Sequence, residues 1–311
     1  MRPVHEGLEK KLGKGRVKKD YVLGPYTSFK MGGAAQFYFE AKTEEDLISS
    51  RAISHVLGTP YIILGGASNV VVSDAGVKGL VVKNLYIHQK IVKQDSKTVL
   101  ICVSSGYPAT KFAKETAEKG YAGLEYHTGL PGTVGGAIYM NSKWYCDPAN
   151  RKNVSYFGDN LLYADIFNEK GVKRRVYRDY FHFAYDFSIL QKTREILINA
   201  FFSLKKEPQA DVLARSRNTF EYRKKTQPQG AFSSGCFFKN PEGWSVGRLI
   251  DEAGLKGESL GNFYISNSHG NFIIHKGRGN MEDLKRLIAR IKDTVYKKYG
   301  IALEEEVIMI E

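Results

Sequence analysis

Cysteine is scarce: Cys102, Cys146 and Cys236 are the three in a chain of 311 residues. Their irregular spacing excludes a disulfide framework and the paired spacing of a zinc site, so no metal is expected. Long apolar runs are missing too. No stretch approaches the roughly 20 residues that a membrane-spanning helix needs. The opening MRPVHEGLEKKLGKGRVKKD has no apolar core of the kind a secretion signal carries. The expectation is a cytoplasmic protein without a membrane partner. Internal repeats and low-complexity segments are absent as well.

Acidic charge is outnumbered. The 46 Lys and Arg stand against 33 Asp and Glu, giving a net charge of +13 and a pI near 9.4. That balance suits nucleic acid, an anionic membrane surface or phosphate-rich small ligands. The basic residues are spread out, however. Runs such as Lys10–Lys19 and Arg223–Lys225 are short, and no helix-turn-helix, zinc-finger or RNA-binding signature accompanies them. Nucleic acid is therefore not an expected partner; solvated surface and phosphate ligands are. Hydrophobic residues make up 42% and charged residues 25%, ordinary for a soluble enzyme with a water-excluding core. The length predicts two or three domains.

Glycine, by contrast, is concentrated. Gly129–Asn141 reads GLPGTVGGAIYMN, with four glycines and one proline in its first eight residues. Neither a packed helix nor a central strand favours that composition. It suits a backbone that turns sharply and brings bare N–H groups to an anionic ligand such as a diphosphate. A plain tight loop has the same composition. A second glycine turn, Leu64–Asn69 (LGGASN), follows the apolar Tyr61–Leu64. Two such loops point to a large phosphate-bearing cofactor.

In chain order, residues 1–20 read as one polar helix. Gln36–Glu40 alternates like a strand after a turn at Gly32–Gly33. Thr43 followed by Glu44, Glu45 and Asp46 starts a helix that stops at Gly58. Tyr61–Leu64, Val70–Val72, Leu80–Val82 and Val99–Val103 read as strands, and Ala109–Lys119 as a helix closed by Gly120. Residues 142–160 look irregular. Leu162–Phe167 and Val172–Tyr177 form a hairpin, and Glu195–Leu204 a long strand. Ala210–Lys225 is a basic helix. Gly230–Pro241 turns into a short strand, and Val246–Ala253 is a short helix. Tyr264–Ile265 and Phe272–His275 are short strands. Asn280 caps a helix whose Leu284, Leu287, Ile288, Ile291 and Val295 share a core face. Ile301–Ile310 reads as a final strand.

Six stretches together resemble a known family: TSFKMGG (Thr27–Gly33), LGGASNVVVSD (Leu64–Asp74), GLEYHTGLPGTVGGAIYMN (Gly123–Asn141), TQP (Thr226–Pro228), SSGCFFKNP (Ser233–Pro241) and GIALEEEV (Gly300–Val307). They are similar, in order and over nearly the whole chain, to the UDP-N-acetylenolpyruvoylglucosamine reductases (MurB), in the shorter of two types. The resemblance implies an α+β chain. An FAD-binding fold of the vanillyl-alcohol-oxidase (PCMH) type would occupy residues 1–205, as two subdomains, roughly 1–84 and 85–205. A substrate-binding α/β domain would span 206–300, and a strand at 301–311 would return to the active site. It also implies a reaction in which NADPH reduces FAD, and reduced flavin reduces UDP-N-acetylglucosamine-enolpyruvate to UDP-N-acetylmuramate for peptidoglycan.

That chemistry has physical requirements. An enol ether is a poor hydride acceptor. Adding hydride to its terminal carbon builds charge beside the carboxylate, which cationic or hydrogen-bonding groups must stabilise. An acid must then protonate the neighbouring carbon, and water must be kept away. By the resemblance the acid is Cys236, at the family's serine in GSxFKNP; a thiol, with a reference pKa of about 8.5, delivers a proton while protonated. The alternative is an inert core cysteine. Glu306 matches the family's active glutamate, and Glu304 and Glu305 do not align. The family's YRxS arginine falls on Asp186, in Tyr185–Ser188. A carboxylate cannot neutralise developing negative charge. Another cation substitutes, with Arg223 and Lys225 as candidates, or activity is reduced, or the alignment slips here.

Tyr185, Lys225, Lys239 and Asn240 fit the family's contacts to the substrate's diphosphate and uridine. The amides of Gly65, Gly66, Ala67, Ser68 and Asn69, and those of Gly129–Ala137, would hold the FAD diphosphate; Gly129, Pro131, Gly132, Gly135, Gly136 and Ala137 carry that loop. Ser68 and Asn69 would add side-chain bonds. Thr27–Gly33 would lie near the adenine or ribose. His269 and Cys146 read as structural. The family's small-residue run after the motif is replaced by Ser142–Cys146 (SKWYC). A second reading is a flavin-binding relative that is catalytically impaired, is regulatory, or uses another substrate, as Asp186 would allow.

Overall fold

A computed structural model describes residues 2–147, 150 and 152–311. The chain runs through α1 (Arg2–Leu12), β1 (Val17–Val22), β2 (Ala34–Ala41), α2 (Glu44–Val56), β3 (Tyr61–Leu64), β4 (Val70–Val72) and β5 (Val77–Asn84). Then come β6 (Gln89–Gln94), β7 (Thr98–Ser104), α3 (Ala109–Ala117), β8 (Tyr121–Ala122), α4 (Val134–Met140), β9 (Lys143–Asp147) and β10 (Lys152–Tyr156). After β11 (Leu161–Phe167), β12 (Lys173–Tyr177), α5 (Leu190–Thr193) and β13 (Ile196–Lys206) follow α6 (Gln209–Thr226) and α7 (Val246–Glu252). The chain ends with β14 (Ser259–Leu260), β15 (Phe263–Ile265), β16 (Ile273–His275), α8 (Met281–Tyr299) and β17 (Ile308–Ile310). The architecture is α+β.

Packing groups these elements into two compact units. One comprises Met1–Lys18, Phe37–Gly66 and Gly79–Arg223; the other comprises Lys19–Gln36, Ala67–Lys78 and Lys224–Glu311. Compactness thus joins segments far apart in sequence, whereas a linear reading follows shifts in composition.

The first unit holds an antiparallel sheet in the order β12-β11-β13-β7-β6, with β8 beside β13. β13 serves two cores, because a register shift in its pairing with β11 resets the alternation of its side chains part-way along the strand. Its Ile196 and Ile198 join Leu8, Leu47, Phe37, Phe39, Leu80 and Val82. Its Ala200, Phe202 and Leu204 join Phe112, Val134, Ile138 and Phe157. Leu197 lies between the two isoleucines and joins the second set; the shift falls between Asp165 and Ile166, which pair with Asn199 and Leu197. Arg215 fastens α6 to this unit, its Nε donating to the buried Glu125 Oε1 at 2.8 Å.

In the second unit, α7, α8 and the β14-β15-β16 sheet enclose Phe29, Met31, Phe237, Phe238, Phe263 and the predicted α8 face. Asn280 caps α8 by accepting the Asp283 N–H at 2.8 Å. β17 runs parallel to β4, pairing Ile308 with Val70 and Ile310 with Val72.

Five local expectations change. The first helix ends at Leu12, and β1 follows; its lysines face solvent, so it lacks an apolar stripe. β6 is an exposed edge strand with the same disguise. Residues 142–160 are not irregular throughout: β9 and β10 pair antiparallel, Trp144 opposite Ser155; residues 148, 149 and 151 lie outside the described ones. The final strand is shorter than 301–310, and a single bridge, Phe238 to Glu305, precedes β17. Finally, the glycine-rich motif contains a helix, α4. Thr133 caps it, with its Oγ1 accepting the Gly136 N–H at 3.3 Å, and buried Val134 and Ile138 anchor it. Tertiary packing overrides the low helix propensity of Gly135 and Gly136.

Candidate functional site

Two glycine loops of the first unit meet backbone to backbone. A Cβ on Gly66 would lie 2.4 Å from the Gly132 Cα, and one on Gly65 would lie 2.3 Å from the Thr133 Oγ1. Neither distance is sterically possible, so glycine is required for the approach. Gly66, Pro131 and Gly136 are exposed, which gives the meeting point an open side. Among the described residues, the N–H groups of Gly66 and Gly132 donate to no other group. A cradle of bare amides with no side chains in the way fits the diphosphate of a dinucleotide. Other amides of the predicted set are already used. Gly135 N donates to Ser105 O, and Ala137 N to Thr133 O, each at 2.8 Å. These two residues contribute room and shape to the loop, not donors.

Asn141 ends the motif in the left-handed conformation. Its Nδ2 donates to Ala184 O at 3.0 Å and its Oδ1 accepts from Gly158 N at 3.2 Å. The motif is thereby tied to the turn that carries Tyr185 and Asp186. Asp186 is buried at φ +50°, in a turn closed by hydrogen bonds between Ala184 and Phe187. Aspartate tolerates that conformation. Over the Tyr185 ring, at 3.3 Å, sits the Lys143 ammonium, a cation at this turn that the sequence reading did not single out. Of the two cations it did single out, Arg223 is buried and stacks 3.6 Å over the Trp144 ring, close enough to Gly129 that a Cβ there would meet its Cδ at 2.9 Å. Lys225 is exposed near the end of α6. Lys143 and Trp144 both belong to SKWYC, so the departure after Asn141 furnishes the side chains around these aromatic and cationic contacts.

His127, two residues before Gly129, is fully buried beside Phe157. Burial, and then the Arg223 charge, hold its pKa down to about 3. An unfolded histidine titrates near 6.5. As pH falls, the unfolded chain therefore takes up the proton first. Stability is intact above pH 6.5 and is lost between 6.5 and 3, by up to about 1.4 kcal/mol per pH unit. His127→Gln is expected to flatten a plot of Tm against pH in that window. A plot as steep as that of the wild type would assign the loss to other groups, His275 being one whose pKa burial also lowers.

The second unit brings Cys236 and Glu306 onto neighbouring segments. Cys236 bridges to Phe272, and Phe238 to Glu305. Glu306 N donates to Phe237 O at 2.9 Å. Both side chains are half-buried. Glu304 pairs with Lys239, and Glu305 with Lys292 at 3.0 Å; the two acids that do not align are thus taken up by lysines. Asn69 holds this segment in place. Its Nδ2 donates to Glu306 O at 3.2 Å, and its carbonyl accepts from Ile308 N at 3.1 Å. The Asn69 side chain, expected at the cofactor, thus also tethers the Glu306 segment. Asn240 Oδ1 accepts from Val246 N at 2.9 Å and so caps α7. His269 accepts from Asn271 N at 3.3 Å, a structural role. Among the described residues, no cluster of His, Cys, Asp and Glu could hold a metal, and no helix is long and apolar enough to cross a membrane.

Comparison with known proteins adds family evidence. Residues 227–310 match the family described as UDP-N-acetylenolpyruvoylglucosamine reductase, C-terminal domain, and residues 35–174 match an FAD binding domain. The UDP-N-acetylenolpyruvoylglucosamine reductase of Chlamydia trachomatis serovar A is 35% identical over 294 residues, covering 94% of this chain and 96% of that one. Its counterpart in Anoxybacillus flavithermus is 34% identical over 300 residues, covering 94% of each. The crystal structure of the Thermus caldophilus enzyme matches with a TM-score of 0.77 and 31% identity, over 95% of this chain and 99% of that one.

Proposed function

The chain belongs to the UDP-N-acetylenolpyruvoylglucosamine reductase (MurB) family, and on that premise we propose how its own residues carry the reaction. It is an FAD-containing oxidoreductase that uses NADPH to reduce UDP-N-acetylglucosamine-enolpyruvate to UDP-N-acetylmuramate, a peptidoglycan precursor. FAD, when bound, supplies the two-electron relay between NADPH and the enolpyruvyl group.

Gly65–Asn69 and Gly129–Ala137 form the cradle for the cofactor's diphosphate. Cys236 delivers the proton to the carbon beside the carboxylate. Glu306 supports that transfer from the adjacent segment, and Asn69 positions it. Tyr185, Lys225, Lys239 and Asn240 bind the sugar nucleotide. Asp186 serves as a turn residue. The functional division follows the sequence boundaries: 1–205 for cofactor, 206–300 for substrate, and a returning strand at 301–311. The compartment is the cytoplasm. The observation that carries this reading is the hydrogen-bonded placement of the Cys236 and Glu306 segments side by side in one unit.

An anaerobic flavin spectrum tests it. The purified protein should be yellow, bleach with NADPH and recolour with UDP-N-acetylglucosamine-enolpyruvate. Bleaching without recolouring would favour a silent relative or another acceptor, the reading that Asp186 suits. A colourless protein that takes up no FAD would overturn the assignment.

A further inference from the structure

Lys83 lies on β5 directly opposite Leu64, the residue before the Gly65–Gly66 turn. Its Nζ donates to the Gly65 carbonyl at 2.5 Å. Among the described residues this is the one hydrogen bond the ammonium makes, and no carboxylate pairs with it. Glu40, whose charge it feels, accepts instead from the Tyr38 hydroxyl at 3.4 Å and lies 3.7 Å from Lys42. Two of the three N–H groups of a half-buried cation are therefore uncommitted, next to a loop built to receive an anion. Burial without a counter-charge costs free energy, and it lowers the pKa of this lysine.

The bond to Gly65 has a geometric effect. In a trans peptide the carbonyl and the following N–H point in opposite directions. Holding the Gly65 carbonyl towards β5 therefore turns the Gly66 N–H away from the strand, on a residue that is exposed and whose amide donates to no other described group.

We propose that Lys83 is a cofactor-binding residue: it aims the Gly66 amide and supplies positive charge to the diphosphate of the bound dinucleotide. The inference rests on the FAD reading above. No glycine motif contains Lys83, and its charge directly follows the buried apolar run Leu80–Val82.

The test is a titration of apoprotein with FAD and, separately, with riboflavin, which has no diphosphate. Lys83→Met should weaken FAD binding about ten- to hundredfold, the range for a charge-assisted hydrogen bond, and leave riboflavin binding unchanged. Lys83→Arg should stay within about threefold of wild type, because it keeps the charge. In the wild-type protein, FAD or inorganic pyrophosphate should protect Lys83 from acetylation, a readout that stands if the Met variant does not fold. Unchanged FAD affinity in Lys83→Met, equal loss of FAD and riboflavin, or no protection would each overturn the assignment while leaving the FAD reading intact. A wild-type protein that takes up no FAD would overturn both.

Discussion

Cys236→Ala is expected to leave NADPH-driven bleaching of the flavin within about twofold of wild type and to slow recolouring by the enolpyruvyl substrate by roughly 10²–10⁴-fold, the usual worth of a positioned acid. The two half-reactions separate because only the second needs a proton delivered to carbon. Cys236 also sits on a segment bridged to Phe272 and flanked by buried Phe237 and Phe238. Removing one half-buried sulfur should cost little structure, since the neighbouring phenylalanines hold the segment. Cys236→Ser restores an O–H donor in nearly the same place and should recover much of the rate. Rapid-mixing absorbance of the flavin under anaerobic conditions distinguishes the cases. Equal slowing of both half-reactions would sink the proton-donor role and make Cys236 a packing residue.

Gly66→Ala is expected to abolish stoichiometric FAD in the purified protein and to lower Tm. The added Cβ would sit 2.4 Å from Gly132 Cα and 3.2 Å from its N and C atoms. All three are backbone, so no side chain can swing aside. The two loops must separate, which disturbs the bare amides at Gly66 and Gly132 together. Overpacking of this kind costs about 1–3 kcal/mol, and lost ligand stabilisation adds to it. Flavin content per chain and a melting curve with added FAD measure the two effects. A variant that keeps one FAD per chain would show that the loop contact is unnecessary for binding.

Much of this was legible in the sequence because the residues concerned are constrained by backbone geometry. Thr43 and Asn280 cap helices as their side chains predict, with bonds of 3.1 and 2.8 Å. Glycine clusters marked where two backbones meet, and six motifs marked the family. Elements without an apolar stripe were hidden. β1 and β6 are lysine-bearing edge strands whose stability comes from pairing with the next strand along the chain, and α4 forms in spite of its glycines. Side chains that work through a neighbour were hidden for a different reason. Asn69 and Asn141 looked like ligand groups or loop residues; each spends its amide on a carbonyl 237 or 43 positions away. No local pattern encodes such a partner. Lys143 and Trp144 became informative only when the β9–β10 hairpin placed them beside Tyr185 and Arg223.

The interleaving of the two compact units sets a timetable for synthesis. Phe29 stacks on Phe263, with ring centroids 5.8 Å apart, yet more than two hundred residues separate them. At about 5–20 residues per second, the earlier phenylalanine leaves the ribosome roughly ten to fifty seconds before its partner exists. Lys19–Gln36 and Ala67–Lys78 must wait in that interval without their core, as nascent chain whose apolar residues a chaperone could hold. A gene cut after Arg223 would leave both segments orphaned for good, and a separately made 224–311 would lack Phe29, Met31 and Val71 from its interior.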